Sequence, residues 1–557
     1  MNESQIEIRG SYRPPVPGSR RVGTPGTDEM ITVTVTVRGP APPDADAHPA
    51  PVLSRSEFEA LFGARQDDID QVRDVLGRRG LTVLDASRLT RSLRVEGTIT
   101  AIQNTFGVDL GLYRTSDDEE FRGRVGVVTL PAALHEIVTG VFGLDQRRVA
   151  ERKSGPPSAP PSAAADDTAV APPDLERIYR FPDGDASGRR VAIAEFGGGY
   201  FPGDVTQFCL MHGRPDPVPV LEVIPVGYQP LTLEELLKLP EKELIRQAVM
   251  AAECMLDIEI VAALCPGAQL AVYYAPFTEA GWIDLLDRVI SDPPPVALSV
   301  SWGVREDSGH GLSRAGLDEI NQRLATAATL GITVCVASGD DGSGDNARDD
   351  GVHVAFPAAS PFVLGVGGTM LAGGKEVAWR EGPGTRFASD GSPTSGGASG
   401  GGISTVFPRP QWQDVRVEPP VARDFDGRIV PDVAAIASVR GYHMIFNGTP
   451  ARSGGTSAAA PVWAALITRA AAAAGGGQRF LTPVLYRPSP GGKPLGQAVC
   501  NDITIGMNVS EPQPGIGYSA QPGYDAVTGW GTPDGIALTE ALKALRLSED
   551  KKPKDGN

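Results

Sequence analysis

The spacing of apolar positions along this chain changes its period at one place. Before residue 154 the pattern mixes strict alternation with helical spacing. ITVTVTVRG alternates as a half-buried strand does, SRSEFEALFG and DDIDQVRDVLGRRG repeat at helical intervals, and LTVLDASRLTRSLRVEGT reads as strands again. ITAIQNTFGV and ALHEIVTGVFGL predict two further amphipathic helices. This order predicts a compact α+β unit, ferredoxin-like, with helices packed on an antiparallel sheet. Its first ~25 residues are polar and predicted to lack regular structure.

After residue 173 short apolar runs ending in Gly or polar residues alternate with helical segments. VAIAEFGGG, AQLAVYYAP, ALSVSWG and ITVCVASGDDG are the predicted strands. IRQAVMAAECMLDIEIVAALC, GWIDLLDRVIS and LDEINQRLATAATLG are the helices between them. Strand–helix alternation predicts an α/β, doubly wound parallel sheet with its function at the carboxyl ends of the strands. Between the two patterns lies SGPPSAPPSAAADDTAVAPP, residues 154–173, a Pro/Ala/Ser linker open to cleavage. The boundaries are therefore 1–153 for the first domain, 154–173 for the linker and 174–545 for the second domain, with a solvated tail at 546–557.

Composition narrows the function class. A formal net charge of −17 disfavours nucleic acid and anionic membranes as partners. Five scattered cysteines without CxxC or Cys/His spacing argue against a disulfide framework or a zinc site. No uninterrupted apolar run reaches membrane-spanning length, and the N-terminus lacks a signal-peptide core. The 67 glycines and 49 prolines point to many turns rather than a helical bundle.

The candidate chemistry begins at SGGTSAAAP, residues 453–461, where Ser457 follows Gly-Gly-Thr and opens a helix of small residues. A serine hydroxyl needs a base to become a nucleophile. On the helix around ECMLDIEIVAAL, Glu253 and Asp257 stand four apart and share a face. They are open to two readings: a solvent stripe that Glu259 extends, or a buried pair sharing a proton, with one acting as general base. Asp340 lies just past the end of strand ITVCVAS, as a turn-capping residue or, if protonated, as a donor to an oxyanion. Glu195 and Trp302 lie at two other strand ends, as ordinary turn and core residues or as a proton-sharing network behind the base.

Together these residues resemble the sedolisin (serine-carboxyl peptidase) family, its kumamolisin-like members above all. The similarity runs nearly end to end through APPDLERIYRFP, IAEFGGGY, ECMLDIEIVAAL, ALSVSWG, ASGDDGS, FPAASPFVLGVGGT, SGGGIS, FPRPQWQ, SGGTSAAAP and DITIG. The resemblance implies a subtilisin-like catalytic domain behind an inhibitory pro-domain, made as a zymogen that matures by cleavage in the linker. It implies Ser457 as nucleophile, Glu253 as general base, Asp257 orienting it and Asp340 at the oxyanion. Glu195 and Trp302 match the extended proton network, and Ser301 and Gly303 the substrate-binding strand. It further implies one calcium ion held by Asp502 and Asp525 with the carbonyls of Ile503, Gln521 and Gly523, an all-oxygen shell of the kind calcium prefers. The expected activity is acid-acting endopeptidase cleavage of protein or peptide substrates by an extracellular monomer, with the pro-domain as intramolecular inhibitor.

Three departures stand out. Gln521 replaces a glycine frequent in relatives, Asp341 replaces a serine beside Asp340, and Ala355 stands where some relatives place an acid that favours basic P1 residues. The segment LTLEELLKLPEKELIRQ is longer than in close relatives. Competing readings are a tripeptidyl-peptidase of the same family, a His-dependent subtilisin-type protease using one of the six histidines (His48, His135, His212, His310, His353, His443), and an inactive binding module.

Overall fold

The computed structural model describes residues 4–116, 118–149, 151–152, 169–214, 221–309, 311–347, 349, 351–382, 396–421, 424–439, 441–489, 491–509 and 515–550, with backbone alone at 151–152 and 548–550. Most of the predicted linker (154–168), His310 and the end of the predicted tail (551–557) lie outside these residues.

In the N-terminal domain, strand Met30–Val37 buries Ile31, Val33, Val35 and Val37 against a core shared with helices Gln66–Arg78 and Ile99–Phe106. It pairs antiparallel with Ser92–Thr98 on one side and Val138–Phe142 on the other, and Thr82–Ser87 completes the sheet beyond Ser92–Thr98. Helix Arg55–Phe62 begins with a capping box in which Ser54 and Glu57 satisfy each other's backbone amides.

Two expectations fail here. The segment ALHEIVTGVFGL is not a helix: a single 3₁₀ turn, Ala132–Leu134, leads into the edge strand Val138–Phe142. Its apolar spacing suits either state, but β-branched residues and Gly140 favour the strand, and the exposed edge of Met30–Val37 supplies the hydrogen bonds. The first ~25 residues also carry structure, because Gln5–Glu7 pairs with Thr129–Pro131 and Arg20–Gly23 with Gly111–Arg114. At the other end, helix Gly535–Asp550 continues past the predicted start of the tail.

The catalytic-domain sheet runs, in spatial order, Leu221–Pro225, Gln269–Ala275, Arg190–Phe196, Ala297–Val300, Thr333–Ala337 and Leu364–Ala372, all parallel. Val433–Ile436 adds a parallel strand beside Leu364–Ala372, and Lys375–Ala378 an antiparallel one. Helices Glu241–Leu264 and Thr456–Ala473 pack against each other, and the second also lies on the central strands. Since parallel strands point the same way, Glu195, Ser301, Trp302 and Asp340 all emerge at one end of the sheet.

The alternation in MITVTVTV has a second use. Thr34 and Thr36, on the polar face of the strand, are buried by the catalytic domain: Thr34 Oγ1 donates to Asp284 (2.6 Å) and Thr36 Oγ1 to Glu319 (3.0 Å). These acids lie on helices Glu279–Ser291 and Arg314–Thr329, where Arg323 bridges Asp287 and Glu319. The pro-domain thus docks through the polar face of its sheet.

Candidate active site

Gly455 has φ +100°, a conformation that glycine adopts without strain, and it precedes helix Thr456–Ala473. Ser457, its second residue, is fully buried. A helix start leaves backbone N–H groups without intrahelical acceptors. Here Asp340 Oδ1 accepts from both the Thr456 N–H (2.8 Å) and the Thr456 hydroxyl (2.7 Å), which in turn accepts from Gly339 N–H (3.2 Å). Asp340 is thereby held against the helix that carries Ser457. Thr456 is a site residue that sequence reading missed. Its signal was its place beside Ser457 at a helix start.

Every residue from Met250 to Leu264 is buried, so the solvent-stripe reading of Glu253, Asp257 and Glu259 does not hold. Asp257 Oδ2 accepts from the Ser301 hydroxyl at 2.5 Å, and the Ser301 hydroxyl oxygen also lies 3.1 Å from the Ser457 carbonyl oxygen. The Ser457 hydroxyl approaches the Ser301 carbonyl at 3.4 Å. Ser301 therefore joins Asp257 to the Ser457 backbone, a link that a side chain in SVSWG does not advertise. Glu253 stands one helical turn before Asp257, on the same side by helix geometry. Glu259 turns elsewhere, accepting from Ile445 N–H (3.0 Å).

Glu195, wholly buried, accepts from the Trp302 indole N–H at 2.9 Å. Burial pushes its carboxyl up to about 8, with the Glu253 charge adding to the rise and the Trp302 and Cys254 bonds working against it. Trp302 itself is wedged edge-on against Phe196 and Phe277, which keeps this corner dry.

Strand Trp302–Arg305 follows directly on Ser301. Glu151–Arg152, at the end of the first domain, lies antiparallel to it, with Glu151 opposite Gly303 and Arg152 opposite Trp302. The backbone edge at Gly303 is therefore filled by the chain's own segment, in the manner of an added substrate strand.

The histidines lie elsewhere. His48 packs edge-on between Phe362 and Phe480, His135 beside Glu136, His212 on Phe208, and His353 between Asp307 and Asp349. None of these four is a neighbour of Ser457. His443 lies on strand Tyr442–Phe446.

Near the C-terminus, Asp502 and Asp525 both turn to the loop 521–525: Asp502 Oδ2 accepts from Gly523 N–H (2.8 Å) and Asp525 Oδ2 from Gln521 N–H (3.0 Å). Gly523 takes a left-handed φ of +90°, whereas Gln521 does not, so the departure from glycine costs no strain. Ile503 is buried beside Asp502. Two carboxylates and one turn of carbonyls suit a hard cation. Among the described residues no cluster of three or more His, Cys, Asp or Glu forms a metal group, so a cation here would depend on backbone oxygens.

The family comparisons agree with this architecture. Residues 20–147 match the Pro-kumamolisin activation domain, and residues 249–484 the subtilase family. Kumamolisin of Bacillus sp. (strain MN-32) is 35% identical over 97% of this chain and 96% of its own length. Tripeptidyl-peptidase sed5 of Aspergillus fumigatus is 31% identical over 98% of each chain. The solved structure of Pseudomonas sedolisin, complexed with pseudo-iodotyrostatin, superimposes at a TM-score of 0.54 with 25% identity, covering 68% of this chain and 98% of its own. A pro-domain, a subtilisin-like catalytic domain and relatives that match nearly end to end place this chain in the sedolisin (serine-carboxyl peptidase) family, as a kumamolisin-like proenzyme and a serine peptidase.

Proposed function

We propose that the mature domain is an acid-acting endopeptidase in which a carboxylate replaces histidine as the base. Ser457 Oγ attacks the peptide carbonyl carbon while its proton passes to Glu253. The tetrahedral oxyanion takes a hydrogen bond from protonated Asp340. Glu253 returns the proton to the departing amine, leaving an acyl ester on Ser457, and water then releases the acid by the same route. Asp257 orients Glu253, and the Glu195–Trp302 pair stays neutral behind them. The observation that carries this reading is the burial of Glu253 and Asp257 on a helix packed against the nucleophile's helix, with Ser301 joining Asp257 to the Ser457 backbone.

Endopeptidase action is favoured over release of tripeptides by the path of the pro-segment. A tripeptidyl-peptidase must stop the chain three residues before the cut. Here the chain continues from Arg152 back through Val149, whose N–H donates to the Phe277 carbonyl (3.3 Å), and Arg148. Some relatives are named tripeptidyl-peptidases, so the test is direct. Mature enzyme at about pH 4 is offered N-terminally blocked decapeptides and free-amine tripeptide substrates of one sequence. Efficient cutting of the blocked peptides is expected; cleavage restricted to free N-termini would establish the tripeptidyl alternative.

The same reading assigns one calcium ion to Asp502, Asp525 and the carbonyls of Ile503, Gln521 and Gly523. There it would tie the loop 521–525 to the strand end at Asn501 and stabilise the native state. It also makes the protein an extracellular monomer, as the resemblance to its family implies; among the described residues no helix is long and apolar enough to cross a membrane.

A further inference from the structure

Arg148 lies just past the residues that match the activation domain. Its guanidinium stacks over the Phe277 ring at 5.5 Å, and one of its nitrogens lies 3.4 Å from Met250 Sδ. Met250 belongs to helix Glu241–Leu264, and Phe277 lies two residues past strand Gln269–Ala275. Glu243, two turns before Met250, feels the Arg148 charge. It also accepts from Arg246 (2.5 Å) and Gln247 (2.9 Å), which outweigh burial and hold its carboxyl below the usual range. Arg246 has a second partner, Glu119 of the pro-domain (2.8 Å), which departs when that domain is removed.

The position of this cradle along a substrate follows from strand register. Arg152 faces Trp302, so the next residue of a chain lying this way faces Ser301, whose carbonyl is next to the Ser457 hydroxyl. That residue supplies the attacked carbonyl. Arg148 lies four residues before the partner of Trp302, and hence five before the attacked residue.

We propose that Phe277, Met250 and Glu243 form a substrate subsite for a cationic side chain five residues before the residue whose carbonyl is attacked, filled by Arg148 in the proenzyme and open in the mature enzyme. The inference rests on the endopeptidase reading and names a selectivity within it. An aromatic face, a polarisable sulfur and a nearby carboxylate together suit a guanidinium or ammonium group.

The test uses mature enzyme and blocked fluorogenic peptides that differ only at that position, carrying Arg, Gln or Glu. The expected order of kcat/KM is Arg, then Gln, then Glu, with Arg about three- to fivefold above Gln and most of the difference in KM, as suits a partly exposed cation–aromatic contact. Glu243→Lys, on a partly exposed helix turn, should reverse the order of Arg and Glu, and Phe277→Leu should narrow the gap between Arg and Gln. Equal kcat/KM for all three peptides, or an Arg preference unchanged in Glu243→Lys, overturns the subsite while leaving the endopeptidase reading intact. Failure to cut any blocked peptide, with tripeptides still released, overturns both.

Discussion

Asp432 and Glu195 are both wholly buried carboxyls of the same domain, and the fold treats them in opposite ways. Asp432 meets a guanidinium: Arg428 NH2 bonds both its oxygens at 2.7 and 2.6 Å, and the Tyr486 hydroxyl (2.6 Å) and Gly365 N–H (2.7 Å) take further lone pairs. Arg428 is itself buried and stacked over Trp412 at 5.3 Å. Glu195 meets an indole, a thiol and another acid, and among the described residues it has no cationic partner. The contacts described for Asp257 and Asp340 are likewise to hydroxyls and a backbone amide. Asp432 is thus paired with a guanidinium and fully hydrogen-bonded, whereas Glu195 is left beside neutral donors, where burial makes its charge costly and a proton is held more readily.

The contrast breaks most sharply under substitution. Ser457→Ala or Glu253→Gln should lower kcat/KM at least ~10³-fold with little change in melting temperature. Arg428→Met should do the reverse, destabilising the domain by about 3–5 kcal/mol because Asp432 is left buried without its partner. Parallel melting curves and steady-state kinetics separate these outcomes. If the Glu253 variant keeps normal activity, the two acid groups do not differ as argued.

Asp340→Ala should cost about 10²–10³-fold in kcat, the usual loss for one oxyanion donor, and some stability through the start of the Thr456–Ala473 helix. Asp340→Asn retains a donor and should lose less. Equal losses in the two variants would make Asp340 a helix cap and no more.

A smaller effect sharpens the comparison through pH. The native state holds the Glu195 proton more tightly than the unfolded chain does. This contribution is therefore full below the ordinary glutamate value, near ~4.3, and drains away as pH rises through about 8. Burial also raises Glu259 well above the ordinary value and Asp287 to about 6, with the same sign. The melting temperature should thus fall between about pH 5 and pH 8, and Glu195→Gln should flatten that fall. A melting temperature that rises over this window would contradict the neutral network. The smallest expected change is a drop of a few degrees on chelating calcium, absent in Asp502→Ala. No response in the parent enzyme, with no metal by elemental analysis, would remove that site.

Much of this was legible because it is local. ECMLDIEIVAAL announces three acids on an apolar helix, two of them four apart, and SGGTSAAAP a serine at a bare helix start. Strand–helix alternation announces the parallel sheet. What could not be read depends on partners distant in sequence. Asp340 and Thr456 meet across 116 positions, and Ser301 reaches Asp257 across 44. Apolar periodicity carries no information about where an N–H or a hydroxyl points. Residues 133–144 were misread for a related reason: their spacing fits both a helix and an edge strand, and only the open edge of Met30–Val37 decides. The burial of Thr34 and Thr36 likewise appears only once the second domain is in place.

The central claim is that a carboxylate and a carboxylic acid share the catalytic work, which confines activity to acid. The most direct test is the pH dependence of kcat/KM for the mature, folded enzyme on a blocked peptide. The account predicts a bell with its maximum at roughly pH 3 to 5, whose alkaline limb is much weakened in Asp340→Asn. A maximum at neutral or alkaline pH, with the fold intact, would contradict it.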